Sequence, residues 1–252
     1  MLPADYHIHG LAHEGPPHTL ERLLPYIEAA RKAGLTEIGF AEHDDYLEAL
    51  DFNVFFRLEQ CGDIKVRAGL EIDFCLQKDY ALELAGYPWD YLIGSVHSIA
   101  GWGFDGPGQE TGFNAYDIDE LYADYFNLVA KAAATGVFQI IGHLDLIKIY
   151  GHRPSRPVVE LAETALQAIA GSGSALELNT AGLFKPVGEY YPSMVLLERA
   201  FSLNIPVTIA SDAHAAQEVG RERARAVEVL RRAGYNCLAT FHRQKMDPEP
   251  LG

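Results

Sequence analysis

The chain is poor in cysteine, with only Cys61, Cys75 and Cys237 among 252 residues, an odd number with no C-x-x-C spacing. That argues against a disulfide framework and fits a reducing compartment, with buried packing the expected role of all three thiols. Positive charge is scarce as well. Twenty Lys and Arg stand against 35 Asp and Glu, a formal net charge of −15. No run of Lys or Arg offers the basic stripe that a nucleic acid requires, so long polyanions are disfavoured as partners. No apolar run approaches the length of a membrane span, and no membrane partner is expected. Met1 lies six residues before His7 without a basic leader, so no secretory signal is expected and a cytoplasmic location is. Linkers, fixed-period repeats and low-complexity tracts are missing too. Residues 1–252 are therefore expected to form one domain, with about 243–252, which carry two prolines, as a loosely ordered tail.

What is present is an alternation of strand-like and helix-like segments, the pattern of a parallel sheet covered by helices. Helical periodicity runs over 20–33 with Leu23, Leu24, Ile27 and Ala30 on one face, and over 117–134 with Leu121, Tyr125, Leu128 and Ala132. Further helices are expected over about 156–170, 192–203 and 218–233, and Gly34 and Gly136 close the first two. Seven short strand-like stretches end in side chains able to bind metal. They lead to His7 and His9, His43, Glu71, His97, His143, Asn179, and Asp212 with His214. Strands of a closed parallel barrel deliver their C-terminal ends to one face, where the active site of such folds lies. Six of the ten histidines fall at such ends, which chance placement does not explain.

His7-x-His9 is the strongest local signal, because residues i and i+2 on a strand project to the same side. Asp5 shares that parity and is expected to orient one of the rings from behind, as Asp73 is expected to support Glu71. Asp212-Ala-His214 repeats the spacing with a carboxylate and an imidazole, and Glu71 is suited to bridge two cations through its two oxygens. His13 is expected to complete the set in preference to His18, which is placed among the substrate contacts. A mixed imidazole and carboxylate set accepts zinc, manganese or iron. The Gly-rich segment 99–114, with Trp102, Phe104 and Phe113 in it, is a candidate lid, and Trp102, Phe104 and Phe184 are expected to line a substrate pocket.

Taken together, Asp5-x-His7-x-His9, Glu42-His43, Gly69-Leu-Glu71, Gly94-Ser-Val-His97-Ser, Gly142-His143-Leu-Asp145 and Ser211-Asp212-Ala-His214 resemble the polymerase and histidinol phosphatase (PHP) family, over about residues 5 to 214. The resemblance implies a distorted seven-stranded α/β barrel, TIM-like in outline, with two or three metal ions at its C-terminal face. By that likeness His7, His9, Glu71 and Asp212 would hold one ion and Glu71, His97 and His143 a second, with His13, His43 and His214 around a third. Glu177-Leu-Asn179-Thr-Ala-Gly-Leu-Phe-Lys-Pro186 and the following Gly188-Glu-x-Tyr-Pro192 are similar to the monofunctional histidinol-phosphate phosphatases. Two positions depart from them: Phe184 stands where those enzymes usually have an arginine, and the loop from His9 to Gly15 differs in shape.

The chemistry so implied is hydrolysis of a small phosphate monoester by a metal-activated hydroxide, with inorganic phosphate as product and histidinol phosphate, an intermediate of histidine biosynthesis, as the favoured substrate. Lys148, Arg153 and Lys185 are the candidate phosphate contacts, since each follows a strand-end motif. His43 or His214 could give the leaving oxygen its proton, with Asp212 beside them. No Ser or Cys nucleophile with a partnered base is evident, so no phosphoenzyme is expected. Another small phosphate ester or nucleotide, or a PHP-type exonuclease, would use the same residues. An amidohydrolase barrel would usually have a bridging lysine where Glu71 stands. A closed structural metal site needs only four donors, fewer than the eight or nine gathered here.

Overall fold

A computed structural model describes residues 4–75 and 78–251. Its frame is seven parallel strands in neighbour order β1 (Ala4–Ile8), β2 (Glu37–His43), β3 (Lys65–Asp73), β4 (Tyr91–Ser95), β7 (Ile140–Ile141), β8 (Ala175–Asn179) and β9 (Val207–Ala210). The seam between first and last is closed just beyond β9, where His9 N donates to Ala213 O at 2.8 Å and Ala213 N to His7 O at 3.1 Å. The result is the nearly closed, distorted seven-stranded α/β barrel that the resemblance implies. Strands buried on both faces read as continuous rather than alternating apolar runs, and β1, β4, β8 and β9 are buried along their whole length.

Helices α1 (Leu20–Lys32), α2 (Phe52–Gln60), α3 (Lys78–Leu84), α4 (Ile118–Ala134), α5 (Val158–Ser172), α6 (Met194–Ser202) and α7 (Arg223–Ala233) belong to the connections between strands or, for α7, follow the last of them. Their ends follow local chemistry. Thr19 caps α1 through Arg22 N, Asp117 caps α4 through Glu120 N, and Gly34 takes the left-handed conformation just past the first helix. The last helix starts at Arg223 rather than near 218, because Ala216–Glu218 form a separate single turn held by the loop after β9. Strand β7 is only two residues long, so His143 follows it in a turn instead of ending a full strand. Helices α2 and α3 were not among the periodic segments read from the sequence.

The tail corrects an expectation. Residues Lys245–Pro250 form β11, paired antiparallel along its full length with β10 (Cys237–His242), and Leu251 is buried; Gly252 lies outside the described residues. Phe241 of this hairpin enters the N-terminal mouth of the barrel and meets Tyr6 and Tyr91 edge-on or tilted. A β-carbon at Gly39 or Gly69 would collide with the Tyr91 ring, so both glycines make room for that plug. The thiols also differ from expectation, since Cys61 and Cys75 are exposed and Cys237 half-buried; all three are free.

The segment 99–114 packs as a wall of the cleft, to which it contributes Asp105, Gly106 and Pro107. It contains the short hairpin β5 (Ser98–Ile99) and β6 (Trp102–Gly103), followed by a helical turn at Glu110–Ala115. Phe104 and Phe113 are fully buried, Trp102 stacks on Tyr116, and the Tyr150 hydroxyl donates to Gly106 O. Phe104 therefore faces the core and Trp102 the wall's own packing, so neither lines the pocket as expected.

Candidate metal centre

At the C-terminal mouth the donors converge on Glu71, buried at the end of β3. Its Oε1 lies 3.1 Å from His143 Nε2 and 3.4 Å from His97 Nε2, and those two nitrogens are 3.3 Å apart. Its Oε2 lies 3.3 Å from His7 Nε2, 3.5 Å from His9 Nε2 and 3.1 Å from His43 Nδ1. Asp212 Oδ1 completes the second cluster, 3.5 Å from His9 Nε2 and 3.9 Å from His7 Nε2. Three overlapping donor groups result: His7, His9 and Glu71; Glu71, His97 and His143; and His9, His43 and His214.

The spacing fits cations better than hydrogen bonds. Ligands about 2.0–2.1 Å from a tetrahedral ion stand roughly 3.3 Å from one another, the separation seen around both Glu71 oxygens. His7 Nδ1 donates to Glu177 Oε2 at 2.8 Å, which leaves the Nε2 lone pair turned towards carboxylate oxygens with no hydrogen-bond partner. Both nitrogens of His9 and Nδ1 of His143 are likewise buried without one. Such atoms need a positive partner among them. Burial would push the Glu71 and Asp212 carboxyls up, but the imidazoles around them hold both well below the ordinary range. Burial, reinforced by the neighbouring imidazoles of His43, His214 and His7, keeps His9 well below its usual value and hence neutral. Ionised carboxylate and neutral imidazole are the ligand forms. Burial opposes a proton on His7, His43 and His97, but the carboxylates beside them raise the pKa of all three, so a bound cation would take the place of those protons.

The sequence carries this same set of residues. It matches the PHP domain family description over residues 5–181. The chain belongs to the PHP family. A relative from Deinococcus radiodurans, named "Probable histidinol-phosphatase", is 40% identical over 240 residues, covering 88% of this chain and 91% of its own. The histidinol-phosphatase of Lactococcus lactis subsp. lactis is 28% identical, covering 98% and 97%. The crystal structure of the histidinol phosphate phosphatase from Lactococcus lactis subsp. lactis, complexed with zinc, L-histidinol and phosphate, superimposes with a TM-score of 0.76 at 24% identity. It covers 97% of this chain and 98% of that one, a likeness of fold.

Within this PHP barrel the predicted residues fall into three groups. His7, His9, His43, Glu71, His97, His143, Asp212 and His214 are together. His13 joins their edge, its ring 4.5 Å from His214 and 5.7 Å from His43 between centroids, yet it is His9 that shares a donor group with those two. Asp73 meets His97 rather than Glu71: its Oδ1 accepts the His97 backbone N–H at 3.0 Å and lies 3.5 Å from the ring.

Four expectations fail. Asp5 touches no imidazole; it accepts from Ser211 N and Gly220 N and ties β1 to the loop after β9. The reason is a bulge: between the pairs Asp5↔Ile38 and Ile8↔Phe40, β1 uses three residues against two on β2, so the alternation from Asp5 to His7 is broken. Lys148 is buried and spent on Asp145 Oδ2, 2.9 Å away, and on Tyr190 O. Arg153 reaches Glu189 at 2.6 Å outside the cleft. His18 lies apart, its Nδ1 accepting Asp51 N at 3.2 Å and its ring edge-on to Phe55. Only Lys185 of the expected phosphate contacts lines the cleft.

Glu177 was missed as a site residue, and Asn179, named only as the end of its strand, was given no role there. Glu177 orients His7 and accepts His143 N at 2.7 Å, and Asn179 Nδ2 donates to Glu177 Oε1 at 2.8 Å and to Asp212 Oδ2 at 3.3 Å. Their signal was present: Glu177 and Asn179 alternate with leucines on one fully buried strand.

Proposed function

We propose that this chain is a metal-dependent phosphatase that hydrolyses L-histidinol phosphate to L-histidinol and phosphate in histidine biosynthesis, as one cytoplasmic domain spanning 1–252. Glu71 carries the reading, because its two oxygens are shared between five imidazoles at the floor of an open cleft. Two or three zinc, manganese or iron ions fit: His7, His9, Glu71 and Asp212 for one, Glu71, His97 and His143 for another, and His43 with His214 beside His9 for a third. Such ions supply Lewis acidity, which makes water a nucleophile near neutral pH and offsets the charge of the phosphoryl oxygens. The relatives' names support the substrate.

The cleft of about 400 Å³ does the rest with its own side chains. Leu146, Ile149, Tyr150, Tyr191 and Pro107 give the cleft apolar walls for a ring, with Asp105 to face a substrate cation. Lys185 lines the same cleft and supplies the positive charge that a phosphate needs. His43 and His214 border the space in which the leaving oxygen would take its proton, and Asp212 Oδ1 lies 3.6 Å from His214 Nδ1. No side chain is asked to form a covalent intermediate.

Phosphate release from a panel of small esters, after loading with manganese or zinc, tests the reading. A kcat/KM for histidinol phosphate at least ~100-fold above the other esters is expected from a cleft suited to ring and cation. Weak release across the panel would remove this substrate and leave a general phosphatase; no release at all would remove the reaction.

A further inference from the structure

A second cavity, of about 290 Å³, opens beside the metal donors and shares His13, Lys185, Asp212 and His214 with the main cleft. Its remaining walls include Phe184 and Arg221. Both stand on the cavity wall rather than in the core. Phe184 is a large aromatic left 58% exposed, and the Arg221 guanidinium sits over its ring with Cζ 4.6 Å from the centroid. A cation held flat on an aromatic face keeps its in-plane N–H fork available to an acceptor.

The guanidinium is also fixed from behind. Its Nη1 donates to Glu218 Oε1 at 2.8 Å and its Nη2 to Ser211 O at 3.1 Å, while Nε is buried with no acceptor. Two of five N–H groups are thus used, and the side chain is ordered before any ligand arrives. With Lys185 the cavity wall carries two cations against Glu218, since Asp212 belongs to the metal donors. Asp105 lines the main cleft but not this cavity. A substrate with a phosphate at one end and an ammonium at the other fits that polarity in one direction only.

We propose that Arg221, seated on Phe184, is a phosphate-binding residue, and that with Lys185 it makes the side cavity the anion subsite for the non-bridging oxygens of the substrate and for the phosphate product. The proposal rests on the phosphate-ester reading above. Sequence reasoning passed over Arg221 because it lies nine residues beyond Asp212, outside any strand-end motif.

The test is calorimetric binding of inorganic phosphate, and separately of L-histidinol, to the metal-loaded protein, with metal content measured in each variant. Arg221→Met is expected to weaken phosphate by at least ~10-fold and leave L-histidinol within about twofold, the loss of one charged contact. Phe184→Leu, at an exposed position, is expected to weaken phosphate by a smaller factor of ~2–4 through loss of the stacked platform. Returning a cation from the other side, in the double variant Arg221→Met with Phe184→Arg, is expected to recover most of the phosphate affinity. Unchanged phosphate binding in either single variant at full metal content overturns the proposal. So does equal weakening of phosphate and L-histidinol, which would make Arg221 a positioning residue for the loop of Asp212 and His214. If Arg221→Met loses its metal, the Phe184→Leu result alone decides. Phosphate binding is read without turnover, so an enzyme that binds phosphate through Arg221 but ignores histidinol phosphate would sink the substrate reading and spare this one.

Discussion

The two mouths of the barrel are built from the same seven strands and have opposite chemistry. At the N-terminal mouth Tyr6, Tyr91 and Phe241 pack together and their polar atoms are satisfied. Tyr6 OH donates to Glu37 Oε1 at 2.6 Å, Tyr91 OH to Tyr6 O at 2.6 Å, and Phe241 N to Tyr6 OH at 3.1 Å. At the C-terminal mouth six imidazoles and two carboxylates crowd together with buried nitrogens lacking partners, and Asp212 holds a left-handed φ of 52°. Strain and unpaired polar atoms of this kind cost stability and persist where function requires them. One end closes the fold; the other is completed by what it binds. Substitutions at the two ends should therefore separate activity from stability.

The largest effect on activity is expected from Glu71→Gln. An amide keeps the shape but loses the charge and the second anionic oxygen shared by His7, His9, His43, His97 and His143. Loss of kcat/KM of at least ~10³-fold is expected, beyond the 10–100-fold typical of groups that only orient a ligand. Bound metal measured by elemental analysis should fall in parallel. A Glu71→Gln protein with its full metal complement and near-normal turnover would end the bridging role.

Phe241→Ala is the counterpart at the other end. Deleting a fully buried phenyl ring typically costs about 3–5 kcal/mol, a large share of the 5–15 kcal/mol of a whole domain. Urea unfolding should show that loss, while kcat of the folded fraction stays within about twofold. A large fall in kcat without a change in midpoint would mean that the two mouths are coupled. Glu177→Gln is the intermediate case, since it touches the donors through His7 and His143, and Asp212 by way of Asn179. Metal affinity should fall ~10–100-fold, and saturating metal should restore much of the activity, which it should not do for Glu71→Gln.

The sequence made the C-terminal mouth more legible than the rest. Metal donors are few residue types, and their placement at strand ends is a period-two pattern that a single chain displays. His7, His9, Glu71 and His97 could be read in that way. The same pattern misled at Asp5, because one extra residue in β1 breaks the alternation and leaves no local mark. Lys148 and Arg153 follow strand ends as Lys185 does, but partners distant in sequence decide their fates: Glu189 takes Arg153, while Asp145 and the carbonyl of Tyr190 take Lys148. Arg221 and Glu177 act through residues that only folding brings near. The tail was misread because two prolines suggest disorder, whereas an exposed edge strand accepts proline where no N–H is needed.

His18 gives the finest test of the boundary between site and scaffold, because it lies only nine residues from His9 and yet belongs to the scaffold. Its ring is buried, its Nδ1 accepts the Asp51 N–H, and its Nε2 has no partner, so protonation would place a charge where nothing receives it. Burial accordingly pushes its pKa down to about 4. An unfolded histidine titrates near 6.5, so between the two values the unfolded chain binds the extra proton and stability falls as pH drops. The contribution is complete above about pH 6.5 and lost towards pH 4, with a ceiling of about 3 kcal/mol. His18→Asn can still accept from Asp51 but cannot titrate, and it gives up the contact with Phe55. It should be less stable than the parent at pH 8 by about 1 kcal/mol. That gap should close and then reverse, a swing of about 2 kcal/mol, as urea unfolding is repeated down to pH 5. Turnover should be unaffected. A gap that stays constant with pH would show that the ring is neutral at no cost to the fold, and a large fall in kcat would return His18 to the cleft.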